Sequence, residues 1–249
     1  MANLTDIKFP VNFSDVHYIA LTYISSFDAV NKKLEGTGLK AGLIFNGKPL
    51  VAVGLIEYKD SDLGVYNEVI IAIPVVPKGT KTGLTNWIDL YSSTNKRKLG
   101  QYIIHIPVTS KLSMDAGIGL WGYPKTIKKI EHVFQSNKIS SGIWNDLGDE
   151  KILAFKGNMG IGIPIPSMNL LTYSFQDEQM LKTTVDVNSN MKWNPFADIR
   201  ITVNETTDPI CRDIIDLGIC NKKPFFTIEA SNFKAKFNKG ISLLEGASH

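Results

Sequence analysis

The chain has 249 residues, 43% of them hydrophobic, and 27 basic against 24 acidic side chains give a net charge of +3. With a mean hydropathy near zero, such a chain can bury a full-sized core, which excludes a disordered protein. The small basic excess excludes nucleic acid as the main partner. No apolar run approaches the roughly 18 residues of a membrane span. The N-terminus, MANLTDIKFPVNF, lacks the charged segment and apolar core of a secretory leader. Cys211 and Cys220 are too few for a disulfide framework and read as free thiols. A cytoplasmic protein without membrane contact is expected.

In chain order, Ser25-Ser26 followed by Phe27, Val30 and Leu34 predicts a serine-capped helix. Residues 38–58 read as two β-rich runs separated by Asn46-Gly47, a common hairpin turn pair. The β-branched run 65–77 ends at prolines. Residues 78–100 are polar, contain Lys96-Arg97-Lys98, and read as a surface insertion. Strands are predicted over 101–108, 125–134, 152–165, 197–203 and 225–230, with a short helix over 110–120. A further helix begins at Asp208-Pro209: Asp208 can cap it, Pro209 suits its first turn and Gly218 can end it. There is no Pro/Ser-rich linker and no internal repeat. The chain therefore reads as one domain over residues 1–249, mostly β with a few helices (α+β), as a curved antiparallel sheet or barrel.

The stretch 114–134, MDAGIGLWGYPKTIKKIEHVF, offers two chemistries. Gly117, Gly119 and Gly122 spell G-x-G-x-x-G, the dinucleotide fingerprint, which needs a strand before it and a helix after it. Here KLSMDA precedes the glycines and Tyr123-Pro124 follows, and Pro124 disfavours a helical Tyr123. The context rejects a nucleotide cradle. The alternative is Lys125. An amine attacks a carbonyl only after shedding its proton, and a lysine in water keeps that proton at neutral pH. Burial among apolar groups disfavours the charged form, and Trp121, Tyr123, Pro124 and Ile127 are its neighbours in sequence.

Four segments, in order, resemble the acetoacetate decarboxylase family. Tyr123-Pro124-Lys125 is similar to the family's Y/F-P-K. Gly64-Val65-Tyr66-Asn67-Glu68 with Ala72-Ile73-Pro74-Val75 is similar to its G-x-Y-x-E…A-I-P-V. Trp193-Asn194-Pro195 with Ile199-Arg200-Ile201 resembles its W-x-G-P…L-x-L, and Asp208-Pro209 its late proline-led region. The resemblance covers roughly residues 12–240. It implies a closed β-barrel or cone around an apolar cavity, assembled as a homo-oligomer. It implies that Lys125 forms a Schiff base with a small β-keto acid and that Glu68 faces it and assists proton transfer. The product would be a ketone and CO2, with no cofactor. The chain departs from the pattern in places. Thr126 stands where the family has a second lysine, Gly117-Ile118-Gly119 where it has Gly-Arg-Glu, and Val16 near its early arginine; a second pocket glutamate falls near Gly54.

Strand alternation puts Tyr66, Glu68 and Ile70 on one face. If that face lines a pocket, Tyr66, Trp121 and Tyr123 are candidate pocket residues. Arginine is limited to Arg97, Arg200 and Arg212. Arg200 shares a face with Asp198 and Thr202, so it either enters the pocket to meet a carboxylate or faces solvent. Of His17, His105, His132 and His249, His105 is the pocket candidate, against the alternative of a hydrogen-bonded core residue. No metal-ligand pattern and no G-x-S-x-G occurs. Two other readings remain: a Schiff-base aldolase, dehydratase or diketone hydrolase on the same scaffold, and a barrel that binds an apolar small molecule without chemistry.

Overall fold

The computed structural model describes residues 7–135 and 137–243, so the first six residues and His249 lie outside the described residues. The chain opens with β1 (Val11–Ile24) and α1 (Phe27–Leu34), whose cap is Ser26, accepting from the Ala29 amide. Val30 and Leu34 are buried as the spacing predicts, but Phe27 is exposed. β2 (Leu39–Ala41) and β3 (Ile44–Phe45) lead to β4 (Lys48–Ser61) through Asn46 and Gly47, both at positive φ, the backbone of a tight hairpin. β5 (Tyr66–Pro77) follows, then α2 (Thr85–Asp89), β6 (Gly100–Val108) and α3 (Lys111–Trp121).

The predicted strand 125–134 is two strands, β7 (Lys125–Ile127) and β8 (Ile130–Gln135). Between them the Lys128 ammonium is drawn to Asp146 and Asp208, at 2.7 Å each, and the chain passes from one sheet to the other there. β9 (Lys138–Trp144) and β10 (Lys151–Asn158) come next. The predicted strand 152–165 breaks near Gly160, which has φ +71°, before β11 (Ile163–Ile165). The remainder is β12 (Leu170–Gln176), β13 (Gln179–Trp193), β14 (Asp198–Val203), α4 (Pro209–Asp216), β15 (Phe226–Phe237) and β16 (Ile241–Ser242). Asp208 caps α4 by accepting from the Ile210 amide at 2.8 Å.

Seven strands close a barrel in the order β5-β4-β1-β15-β13-β12-β6, with β6 returning to β5. The barrel is antiparallel, as expected, at every rung but one. The rung between β6 and β12 is parallel, pairing Gln101 with Thr172 and Tyr102 with Tyr173. Directions cannot alternate around a ring of odd number, so at least one parallel rung is required. A second sheet, β14-β10-β9-β8, packs outside. The larger core lies between the outer barrel face (Leu21, Val53, Ile71) and the second sheet with α4 (Phe155, Ile199, Ile214). Another cluster lies on the barrel's inner side, with Ile56, Tyr58, Trp121 and Phe233. β5 is thus buried on both faces, which explains its unbroken apolar run.

Burial pushes the Cys211 thiol up to about 12, which leaves it unreactive. Among the described residues no helix is long and apolar enough to cross a membrane. The Gly122 site tests the junction that carries the Lys125 segment. Gly122 ends α3 in the left-handed region at φ +61°, and a Cβ there would stand 2.3 Å from the Phe175 carbonyl oxygen. Gly122→Ala should therefore destabilise the fold by on the order of 1–2 kcal/mol or more in a urea titration.

Candidate active site

The fingerprint-like glycines serve the lysine. They lie in the last turns of α3 and at its end, with Lys125 three residues beyond. Ser110 caps the helix by accepting from the Ser113 amide, and the Gly122 and Tyr123 amides close its end on Ile118 and Gly117 carbonyls. The face toward the barrel is built of small buried residues, Ser113, Ala116 and Gly117. The Lys125 stem lies along that face: a Cβ at Gly117 would sit 2.4 Å from Lys125 Cδ. Any other residue at 117 would contest the space the lysine occupies.

β7 joins the barrel beside the end of β6, with Lys125 in register with Ile106. Lys125 Nζ donates to Glu68 Oε2 at 2.6 Å and to Ser113 Oγ at 2.9 Å, with side-chain exposures of 6% for Lys125 and 3% for Glu68. The second carboxylate oxygen, Glu68 Oε1, accepts from the Tyr58 hydroxyl at 3.1 Å. Tyr58 stacks on Tyr66 with ring centres 4.2 Å apart, and Nζ lies 5.6 Å from the centre of the Tyr66 ring. Burial, reinforced by the Glu68 charge, pushes the Tyr58 and Tyr66 phenols well above their ordinary range and Tyr18 up to about 12. These hydroxyls stay protonated, and that of Tyr58 donates to Glu68.

The ion pair faces a chamber of about 70 Å³. Its walls include Phe13, Ile56, Ile106, Trp121 and Tyr123, and among the described residues Lys125 is the only cationic side chain lining it. Tyr123 is fixed by a 2.7 Å hydrogen bond with Thr172, and the Trp121 indole donates to the Asn238 carbonyl. The structure therefore brings Lys125, Glu68, Tyr66, Trp121 and Tyr123 together. The apolar enclosure comes from distant strands, since Pro124 and Ile127, the immediate neighbours in sequence, are exposed. Lys128 and Lys129 bond acidic groups away from the chamber, so neither crowds Nζ.

Two candidates lie elsewhere. His105 bonds Asp213 at 2.9 Å, beside Lys33, on the outer side of β6. The cause is a β-bulge: Ile71 pairs with His105 but Ala72 pairs with Ile103, leaving Ile104 extra. The inward set shifts there from Gln101 and Ile103 to Ile106, so simple alternation misplaces His105. Arg200 is exposed, bonding Asp198 and the Asn221 carbonyl. Its strand, β14, belongs to the outer sheet and does not line the barrel interior. Sequence reasoning missed Ser113 and Tyr58. The small-residue face of α3 was a signal for Ser113, while Tyr58 is placed by its rung opposite Tyr66. Among the described residues no group of three or more His, Cys, Asp or Glu is placed to hold a metal.

A closed, mostly β barrel with a buried lysine–glutamate pair inside it defines a class, and sequence comparison places the chain within one. The family described as acetoacetate decarboxylase (ADC) matches residues 2–183. The chain belongs to the acetoacetate decarboxylase family. A search of curated proteins finds no match. Among solved structures, an acetoacetate decarboxylase superposes with a TM-score of 0.70 at 14% identity, covering 97% of this chain and 93% of the other. Acetoacetate decarboxylase from Legionella pneumophila gives 0.67 at 16%, covering 94% and 87%. The enduracididine biosynthesis enzyme MppR, complexed with the condensation product of pyruvate and imidazole 4-carboxaldehyde, gives 0.67 at 12%, covering 97% and 92%. At these identities the likeness is one of fold.

His132 supports the pair from behind. Its ring bonds Ser141 at 2.8 Å and the Glu68 backbone carbonyl at 3.3 Å. Burial pulls its pKa down from 6.5 to about 4. The unfolded chain binds this proton first, so the associated stability is full above pH 6.5 and falls as pH drops toward 4. The loss should be on the order of 2–3 kcal/mol. Urea midpoints at pH 7 and pH 5 should differ more for the native protein than for His132→Gln.

Proposed function

We propose that the chain is a Schiff-base enzyme that decarboxylates a β-keto acid to a ketone and CO2. The observation that carries this reading is the 2.6 Å Lys125–Glu68 hydrogen bond inside an apolar chamber. Passing the Nζ proton along that bond leaves a neutral amine beside a carboxylic acid. The amine attacks the ketone carbon, and loss of water yields a protonated imine. The bond to the carboxylate carbon then breaks. Its electron pair moves to the imine nitrogen, giving an enamine, and CO2 leaves. Glu68, having given its proton to the departing water, takes up another from solvent and delivers it to the enamine carbon, and water hydrolyses the imine to release the ketone and the lysine. Ser113 and Tyr58 hold the pair in place through each proton transfer. The chamber offers the substrate carboxylate no arginine, so its charge is stabilised only as it disperses into CO2 and the imine.

The missing arginine also favours a second reading, in which the same imine serves an aldol or dehydration reaction and no carboxylate must be clamped. The fold likeness to MppR, whose complex holds a pyruvate condensation product, is in keeping with it. Released CO2 across a panel of β-keto acids separates the two, and substrate loss without CO2 would favour the second. Lys125→Ala should abolish turnover, and Glu68→Gln should lower kcat by about 10²-fold or more, the scale of a lost acid–base group. Near-normal turnover of Lys125→Ala would overturn both readings.

A further inference from the structure

The barrel interior continues past the lysine. A second chamber of about 290 Å³ shares Tyr18, Ile70, Ile103, Leu170 and Thr172 with the chamber of about 70 Å³ at Lys125. Side chains fill the middle of a barrel this narrow unless they are small. Here Ala20 pairs with Gly54 and Ala52 with Ala72 on adjoining strands, and all four line the second chamber. That patch of missing side chains keeps the lumen open. Along β6, Lys125 is in register with Ile106, and Gln101 of the second chamber lies five residues earlier. The two ends are therefore separated by about 17 Å of strand.

The segment read from sequence as a surface insertion forms part of the far wall. Trp87, Leu90 and Leu99 line the chamber, and with them Arg97, which is only 3% exposed. Its Nη1 and Nη2 donate to the Leu90 and Asn169 carbonyls at 2.7 and 2.8 Å, while Nε is buried with no partner among the described residues. Asp89 is close enough to influence both Arg97 and Lys182, yet among the described residues neither cation forms an ion pair. Lys182 adds positive charge, donating to the Arg97 carbonyl at 3.1 Å. Gln101 Oε1, at the same chamber, is also buried without a partner among the described residues. A guanidinium this enclosed is costly without a counter-ion, and an anion entering the chamber would supply one. The Gln101 amide can turn to present its NH2 group to that anion.

We propose that the substrate is an extended keto compound whose carbonyl reaches Lys125, whose apolar chain fills the second chamber, and whose far end carries a carboxylate held by Arg97 and Gln101. The carbonyl half of this statement rests on the imine reading of Lys125, and the far half does not. Borohydride trapping on Lys125 should be compared for acetone, nonyl methyl ketone and the same long ketone ending in a carboxylate. Calorimetry with nonanoate, which has no ketone, reads the far end alone. The half-saturating concentration should fall at least about tenfold from acetone to the long ketone. It should fall about tenfold again with the terminal carboxylate.

Ala52→Leu, which narrows the lumen, should reduce the first gain. Gln101→Glu, which keeps the side chain's shape and repels an anion, should erase the second gain and weaken nonanoate. Arg97→Met should do the same, but it also loses the bonds to Leu90 and Asn169, so Gln101→Glu is the cleaner test. Equal trapping of acetone and both long ketones, or no gain from the carboxylate, would overturn the proposal. If no ketone traps but nonanoate binds and Gln101→Glu weakens it, the imine reading fails and the carboxylate site stands. If nonanoate does not bind while acetone traps on Lys125, the carboxylate site fails and the imine reading stands.

Discussion

The structure is organised around one costly contact, an ammonium and a carboxylate 2.6 Å apart inside a barrel lined by apolar side chains. A buried ion pair of this kind is a poor stabiliser, because withdrawing both charges from water consumes most of the attraction between them. Removing either partner would strand the other. The surroundings are arranged to keep both. Ser113 accepts from the lysine, Tyr58 donates to the glutamate, and the elevated phenols of Tyr58 and Tyr66 cannot ionise to compete. Such an arrangement is hard to explain as support for the fold and straightforward to explain as machinery for moving a proton off an amine.

The fold separates two tasks by the two faces of the same strands. Outer faces of β1, β4 and β5 pack on the second sheet and on α1 and α4, where the larger core lies. Inner faces are thereby free to depart from dense packing. The lumen they help to line holds the ion pair at one end, alanines and a glycine in the middle, and a buried arginine from the segment between α2 and β6 at the other. The odd strand number forces a parallel rung, and β6 takes it against β12 as well as pairing in parallel with β7. Through that second parallel pairing Lys125 is held beside Glu68.

Much of this was legible in the sequence, and the failures have local causes. The tight turn at Asn46-Gly47, the caps at Ser26 and Asp208 and the pairing of Lys125 with Glu68 follow from short-range signals and ordered motifs. The break at Lys128 was hidden because its cause is two acids distant in sequence, Asp146 and Asp208. The choice for His105 between pocket and hydrogen-bonded core residue stayed open because a bulge at Ile104 has no mark in the sequence, and that for Arg200 because face alternation does not say which sheet a strand joins. Residues 78–100 were read as a polar excursion, yet Asn86, Arg97 and Leu99 are buried. A polar composition does not reveal that a few side chains in it turn inward.

The most direct test is to reduce the protein with borohydride in the presence of acetoacetate and other keto compounds, then map the modified peptide. The chain has 24 lysines, being 27 basic residues less three arginines. Mass added on Lys125 alone, and lost in Glu68→Gln, is the result the buried pair predicts. Modification spread over exposed lysines, with Lys125 untouched by every keto compound tried, would contradict it.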